Sequence, residues 1–552
     1  MSNVRRCNAA LVVSVVAGIF VSVGCTKISS QISAGSGNAW TIPGVLRLGM
    51  AQEPDNLNPV LGQQAVDVDI SMFWAGYLIG HDDRGQFIPE LAADVPSLQN
   101  GGISRDGRTI TYRLRGGVVW QDGTPFTPDD VIFTWHAVMN PNNPVPSRVG
   151  YELIQSITKQ NAHSIVIHLS RPYAPFVATF LSPVAAYAYC VLPAHLLARY
   201  PNIMHAGYNI MPVGTGPYRI AQYEPDNHIR LVANDHYWRG KPNLKEVDIR
   251  IIPSDNTLAT LIKTHEIDMY YRVPHEITRT LHNIAGITIV SSPFTRYNDL
   301  GLNLANPVLS DVRVRQALAY ASDKQTLLAK VTNASDILTD TDQPSFLWAH
   351  NNKVTHYHYD PARAARLLDA AGWHLGPDGV RYRNGTPLRL GLSGIAGDSV
   401  SMMARELLQQ QWRQVGIDTE IKSYPSDILF APASEGGIEL SGHFDVVLEG
   451  FANGVDPDDS VLFECRWLPP RGENVYRFCD PSLDAAEEAA LASNVLTVRK
   501  AAYDRVQDIL ADKVPVIPLW FDTYDYAINT DLRNFKPAHV GSPFWNTWAL
   551  QI

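Results

Sequence analysis

The chain has 552 residues, 45% of them apolar and 18% charged, without a long biased tract; this excludes a disordered tail, a collagen-like fibre and a small disulfide scaffold. A single core seldom grows past about 250 to 300 residues, so a chain of this length divides into roughly three or four units. The net charge of −10, from 45 basic and 55 acidic side chains, has both signs interspersed, which argues against a nucleic-acid surface and leaves fold and ligand open.

At the amino terminus Arg5 and Arg6 precede an apolar stretch from Ala9 to Val23 that is short for a membrane span, the pattern of a secretory signal. It ends in Ser22-Val23-Gly24-Cys25, which resembles the bacterial lipobox, where a small residue precedes a cysteine that becomes diacylated and forms the new amino terminus. Ser22 stands where that motif usually has Leu, and the alternative is an ordinary signal with an incidental cysteine. Lipidation at Cys25 predicts an exported protein, in the periplasm or at the cell surface, that touches the membrane through its lipid alone. Residues 26–40, rich in Ser and Gly, read as a flexible stalk.

Gly44 to Met50 then reads as a strand, and Thr109 to Leu114 as another, set between the turn dipeptides Asp106-Gly107 and Asp122-Gly123. Thr127 is placed as N-cap of a helix with Pro128 at its first position and Asp129 and Asp130 near its positive end. Strands follow over 229–233 and 247–252, and a helix over 254–268. From Asp311 a helix carries Val312, Ala317, Leu318 and Ala321 at helical spacing, with Arg313 and Arg315 on other faces. Asp360-Pro361 starts the next helix and Gly372 stops it. Strand 388–392, a helix over 399–415 closed by Gly416, and strand 417–423 form a crossover unit with parallel strands. A helix over 498–512, strand 516–520 and a strand-like segment 524–529 complete an α/β pattern with no internal repeat.

Cysteine use agrees with an oxidising compartment. Cys465 and Cys479 flank a segment with few signs of regular structure, and a disulfide closing this loop is favoured over two unpaired thiols; Cys190, in an apolar run, reads as a buried small hydrophobe.

Several ordered motifs carry a family resemblance. Phe87-Ile-Pro-Glu-Leu-Ala-Ala, Ser104 to Arg115 and Trp120 to Phe133 resemble the signature of the family 5 extracellular solute-binding proteins, the peptide and nickel receptors of bacterial ABC importers. Pro212 to Tyr218, Asp311 to Ala317, Tyr359-Asp360-Pro361 and Leu367 to Trp373 match in order, so the resemblance spans about residues 44–540. It implies an α/β, two-lobed periplasmic-binding-protein-like fold (type II, cluster C) with an extra domain inserted in the first lobe. The first lobe would comprise residues 41–85, 212–295 and 517–552, the inserted domain 86–211 and the second lobe 296–516, with crossings near Ser291–Arg296 and Pro515–Trp520. It further implies a monomeric receptor that captures a ligand, a peptide or peptide-like molecule, by lobe closure and delivers it to an ABC transporter permease, without catalysis and without a cofactor.

In the peptide-binding branch of that family an aromatic residue followed shortly by Asp lies in the second lobe, and this Asp pairs with the ligand's ammonium group, because an unpaired charge in a closed, dry site is strongly unfavourable. Here the stretch is Gly450-Phe451-Ala452-Asn453-Gly454-Val455-Asp456-Pro457. Phe451 matches the aromatic, Asn453 or Gly454 stands where Asp is expected, and Asp456 aligns with a following turn element. Asn453 offers donor and acceptor groups without charge, which suits a neutral polar ligand. Oligosaccharides, opine-like compounds, metal chelates and blocked or cyclic peptides are the alternatives within the family, and an exported hydrolase or a holding chaperone the alternatives outside it. Trp74, Tyr77, Trp348 and Trp520 are further candidates for the ligand-binding wall, each with core packing as the competing role.

Two metal patterns fail. His350, His356 and His358 lack ligand spacing, and His275-Glu276 begins H-E-x-x-H without its last histidine. Nor does Gly214 to Tyr218 complete a phosphate-binding G-x-G-x-x-G.

Overall fold

The computed structural model describes residues 37–183 and 188–552. The signal, Cys25 and the stalk up to residue 36 lie outside the described residues. Residues 37–40, expected to be stalk, are docked: the Asn38 amide side chain donates to Asn529 at 2.8 Å, and Trp40 stacks on His265 with ring centroids 4.3 Å apart. No helix among the described residues is long and apolar enough to cross a membrane.

Helix ends follow local chemistry. Thr127 Oγ1 accepts from the Asp129 amide at 3.3 Å while the Asp130 carboxylate accepts from the Thr127 amide at 2.9 Å, closing a box at the start of helix Pro128–Met139. Asp311, Asp360 and Asp398 cap helices Val312–Ala321, Pro361–Ala370 and Ser399–Arg413 in the same manner. The helix expected over 254–268 is Asp255–Lys263: His265 takes a φ of 63°, which no helix continues through, and residues 269–273 form a strand. Arg315, expected away from the apolar face of its helix, is buried at 4% exposure and donates to the carbonyls of Leu309, Ser310, Lys513 and Val514.

Among the described residues one sheet runs through the whole molecule. From one edge its strands are Asp418–Tyr424, Arg389–Ile395, Val446–Ala452, Ile287–Leu302, Val516–Asn529, Met269–Val273, Val45–Met50, Glu246–Ile251, His228–Ala233 and Tyr218–Glu224, with Ile337–Leu338 pairing beside Val516–Asn529. Arg389–Ile395 and Asp418–Tyr424 are parallel across helix Ser399–Arg413, as their spacing requires. The segments 516–520 and 524–529 are a single strand, and its partner Ile287–Leu302 is longer still.

These two long strands join two cores. Leu46, Leu48, Met269, Tyr526 and Ile528 pack in one core, which continues into residues of the 86–211 segment such as Trp120 and Ile167. Leu300, Leu302, Leu408, Trp412, Ile517 and Trp520 pack in another. The change of core falls between Trp520 and Tyr526 on one strand and before Leu300 on the other, where the register shifts between Pro293 and Tyr297. The 86–211 segment adds its own antiparallel sheet, Thr109–Arg113, Ser164–Leu169 and Ile154–Asn161. Cys465 and Cys479 are joined in a disulfide, and Cys190 is buried as a thiol.

Candidate functional site at the crossing strands

Alternation along the crossing strands gives them two unlike faces. On one, the Tyr297 ring meets Phe451 and Phe521 with centroids 6.3 and 5.8 Å apart. On the other, Arg296 donates to Asp522 at 2.8 Å and to Asn298 at 3.1 Å, and Asn298 donates to Asp522 at 2.6 Å. Each face borders a cavity.

The cavity on the aromatic side has a volume of ≈ 170 Å³ and lies between two walls. Val149, Tyr151, Tyr173 and Pro175 of the inserted segment form one, and Phe451 to Gly454, Asp456, Asp458, Val461 and Glu473 form the other. Two of its carboxylates are occupied. Asp456 takes two hydrogen bonds from Arg499, at 2.6 and 2.7 Å, and the guanidinium in turn lies 5.3 Å from the Trp348 ring. Asp458 accepts from Tyr173 at 2.9 Å and from the Ser460 hydroxyl at 2.7 Å, and burial pushes its carboxyl above the ordinary range.

The cavity on the charged side is larger, ≈ 420 Å³, and is lined from both bodies by residues that include Arg272, His275, Arg296, Asp336, Asp398 and Asp522. Arg272 sits in the left-handed region at φ 51°, within the bulge between Tyr270 and Val273; its guanidinium lies 4.5 Å from the Tyr524 ring and pairs with Asp69 at 3.2 Å. His275 is 3.2 Å from Asp336 on one side and 3.6 Å from Asp525 on the other. Its bonding to Asp336 and then Asp525 pushes the imidazole up to about 10, so it is a cation at neutral pH.

Of the residues singled out in the sequence, Phe451, Asn453 and Asp456 are brought together at the aromatic cavity. Asn453 is nonetheless a structural fastener. Its amide donates to the Asp342 carbonyl at 2.7 Å, its carbonyl accepts from Thr295 Oγ1 at 2.5 Å, and its side-chain oxygen is buried without a partner among the described residues. Trp348 does not line this cavity; it packs edge-on against Tyr503, centroids 5.9 Å apart, behind Arg499. Trp520 borders the larger cavity but is 1% exposed within the second core. Trp74 and Tyr77 line neither of these two cavities and are buried: the Tyr77 hydroxyl bonds to Ser71 at 2.5 Å, and a Cβ at Gly214 would fall 1.8 Å from the Trp74 carbonyl.

Sequence reasoning missed Arg272, Arg296, Tyr173 and Glu473. The one available signal was the aromatic and charged residues of Phe294-Thr295-Arg296-Tyr297, close together in one strand. The histidines near 350 face different partners, His350 the Gln343 carbonyl at 2.8 Å and His356 the Asp340 carboxylate at 2.7 Å.

The two bodies touch beyond the crossing strands. Ala178, Val455 and Val540 pack together across the gap, and the Ala174 amide donates to the Leu491 carbonyl at 2.7 Å. A family model for bacterial extracellular solute-binding proteins, family 5 middle, matches residues 86–466. The dipeptide-binding protein of Escherichia coli strain K12 is 27% identical over 476 residues, covering 81% of this chain and 84% of its own. A structure of NikZ from Campylobacter jejuni in complex with Ni(L-His) is similar with a TM-score of 0.78 at 26% identity, over 93% of this chain and 100% of that one. The oligopeptide-binding protein AppA of Bacillus subtilis, solved with a nonapeptide, shares the fold with a TM-score of 0.76 at 21% identity, over 92% and 99% of the two chains.

Proposed function

The chain belongs to the family 5 bacterial extracellular solute-binding proteins, and from that premise we propose that it takes up a solute between its two bodies, closes on it and presents it to the permease of an ABC importer. The observation that carries this reading is the pair of cavities held between the bodies where two long strands cross from one to the other. Such a joint permits closure driven by the ligand's higher affinity for the closed form. A peptide or peptide-like solute is supported by the names of the relatives. A metal chelate is the second reading, favoured by the likeness to the Ni(L-His) complex and by the charged lining of the larger cavity.

In this reading residues 41–85, 212–293 and 524–552 form the first lobe, 86–211 the inserted domain and 297–520 the second lobe, with the turning points at 294–296 and 521–523; the crossing expected at Pro515–Trp520 moves along the strand because Ile517 and Trp520 pack in the second core. The solute leaves unaltered. The protein is exported, works as a monomer and is anchored by lipid at Cys25. Native mass spectrometry of protein purified from its own host tests the receptor role: a co-purified solute released unchanged supports it, and turnover of a substrate panel overturns it. Loss of labelled fatty acid from a Cys25→Ser variant tests the anchor.

A further inference from the structure

The carboxylate left over in the aromatic cavity is Glu473. Asp456 is neutralised by Arg499, and Asp458 is satisfied by Tyr173 and Ser460. Among the described residues no Lys, Arg or His lines this cavity. Glu473 has neither a hydrogen-bond donor nor a cation on its carboxylate among the described residues. It is exposed to solvent on one side, and the protein packed around the rest of it pushes its carboxyl upward.

Its position is fixed in advance. Glu473 lies on the loop closed by Cys465–Cys479. Its neighbour Asn474 is fully buried and donates from its side chain to the Glu464 carbonyl at 3.1 Å and the Phe478 carbonyl at 2.7 Å. The loop therefore presents one unpaired carboxylate to a cavity whose lining includes the rings of Tyr151, Tyr173 and Phe451 beside the already bonded Asp456 and Asp458. A cation with an apolar body meets both features, its charge pairing with the free carboxylate and its body covering the rings.

We infer that Glu473 is the specificity-determining counter-charge for an alkylammonium group seated in the aromatic cavity, taking over the role that Asn453 cannot fill. This inference rests on the receptor reading above. The ammonium belongs either to the free end of a peptide or to a simple amine, and the probes separate these.

The test is calorimetric titration of the full chain, wild type and Glu473→Gln, with phenylalanyl-alanine, its N-acetylated form and phenethylamine. Wild type is expected to bind a free-amine probe about tenfold or more tightly than the acetylated dipeptide, and Glu473→Gln to erase that preference. Tight binding of phenethylamine marks a simple amine as the source, and of phenylalanyl-alanine alone a peptide terminus. Unchanged melting temperature of the free variant excludes a folding effect. A wild type that binds the acetylated dipeptide as well as the free one, or binds no amine, overturns the inference, as does a variant that keeps the preference. The receptor reading survives the first of these results, and it falls separately if host-purified protein carries no solute.

Discussion

At Asn453 the side-chain amide is already engaged, and so a carboxylate there does not create a ligand anchor. Asn453→Asp removes the donor to the Asp342 carbonyl and sets a carboxylate at a buried position next to an unpaired backbone acceptor. The variant is expected to lose about 1–3 kcal/mol of stability, read by thermal or denaturant unfolding, with no gain for free-amine peptides; a gain in affinity at unchanged stability contradicts this. Residue type alone could not settle such roles. Phe451, Asn453 and Asp456 were legible through the family resemblance alone, which implies an aromatic residue and an acid in this stretch. Trp74, Tyr77 and Trp520 were not separable from packing, because a tryptophan covers a cavity and fills a core with the same surface. Glu473 carried no signal at all: its meaning comes from Arg499 and Tyr173 neutralising its neighbours, and those residues lie far away in sequence.

Among the elements, the loop Cys465–Cys479 combines stability with recognition. The chain-entropy effect of closing a loop with a sequence separation of 14 amounts to about 3 kcal/mol. Reduction of the protein is expected to lower its melting temperature and, through the loosened Glu473, to weaken the preference for ammonium probes; retention of both after complete reduction would contradict this. Helix starts were readable in advance, because Thr127, Asp311 and Asp360 each bond to the first amides of their own helix and the information is local. The strand Ile287–Leu302 escaped notice for the opposite reason. Polar Asn298 and Asp299 and charged Arg296 interrupt its apolar pattern, and only pairing with distant strands accounts for them.

Across the whole molecule, His275 ties helix His275–Leu281 of one body to Asp336 of the other, with Asp525 beside it. A histidine raised from 6.5 to about 10 gives its full stabilisation below 6.5 and loses it as pH climbs through 10. His275→Gln is therefore expected to be less stable than wild type by about 2 kcal/mol at pH 6, the gap narrowing steadily toward pH 10; a gap that is constant with pH would remove the imidazolium from the contact. The fold class was legible because ordered motifs fix the succession of elements, whereas the placement of this ion pair depends on how the two bodies approach. That approach is governed by the crossing strands, which are hydrogen-bonded to each other on both sides of the register shift between Pro293 and Tyr297. A paired ribbon resists splaying and sideways slip but yields to bending where its ladder is interrupted. Bending of the halves about this ribbon is thereby favoured along a single swing, so spin labels placed at either side are expected to report a distance distribution that solute shifts along that one direction.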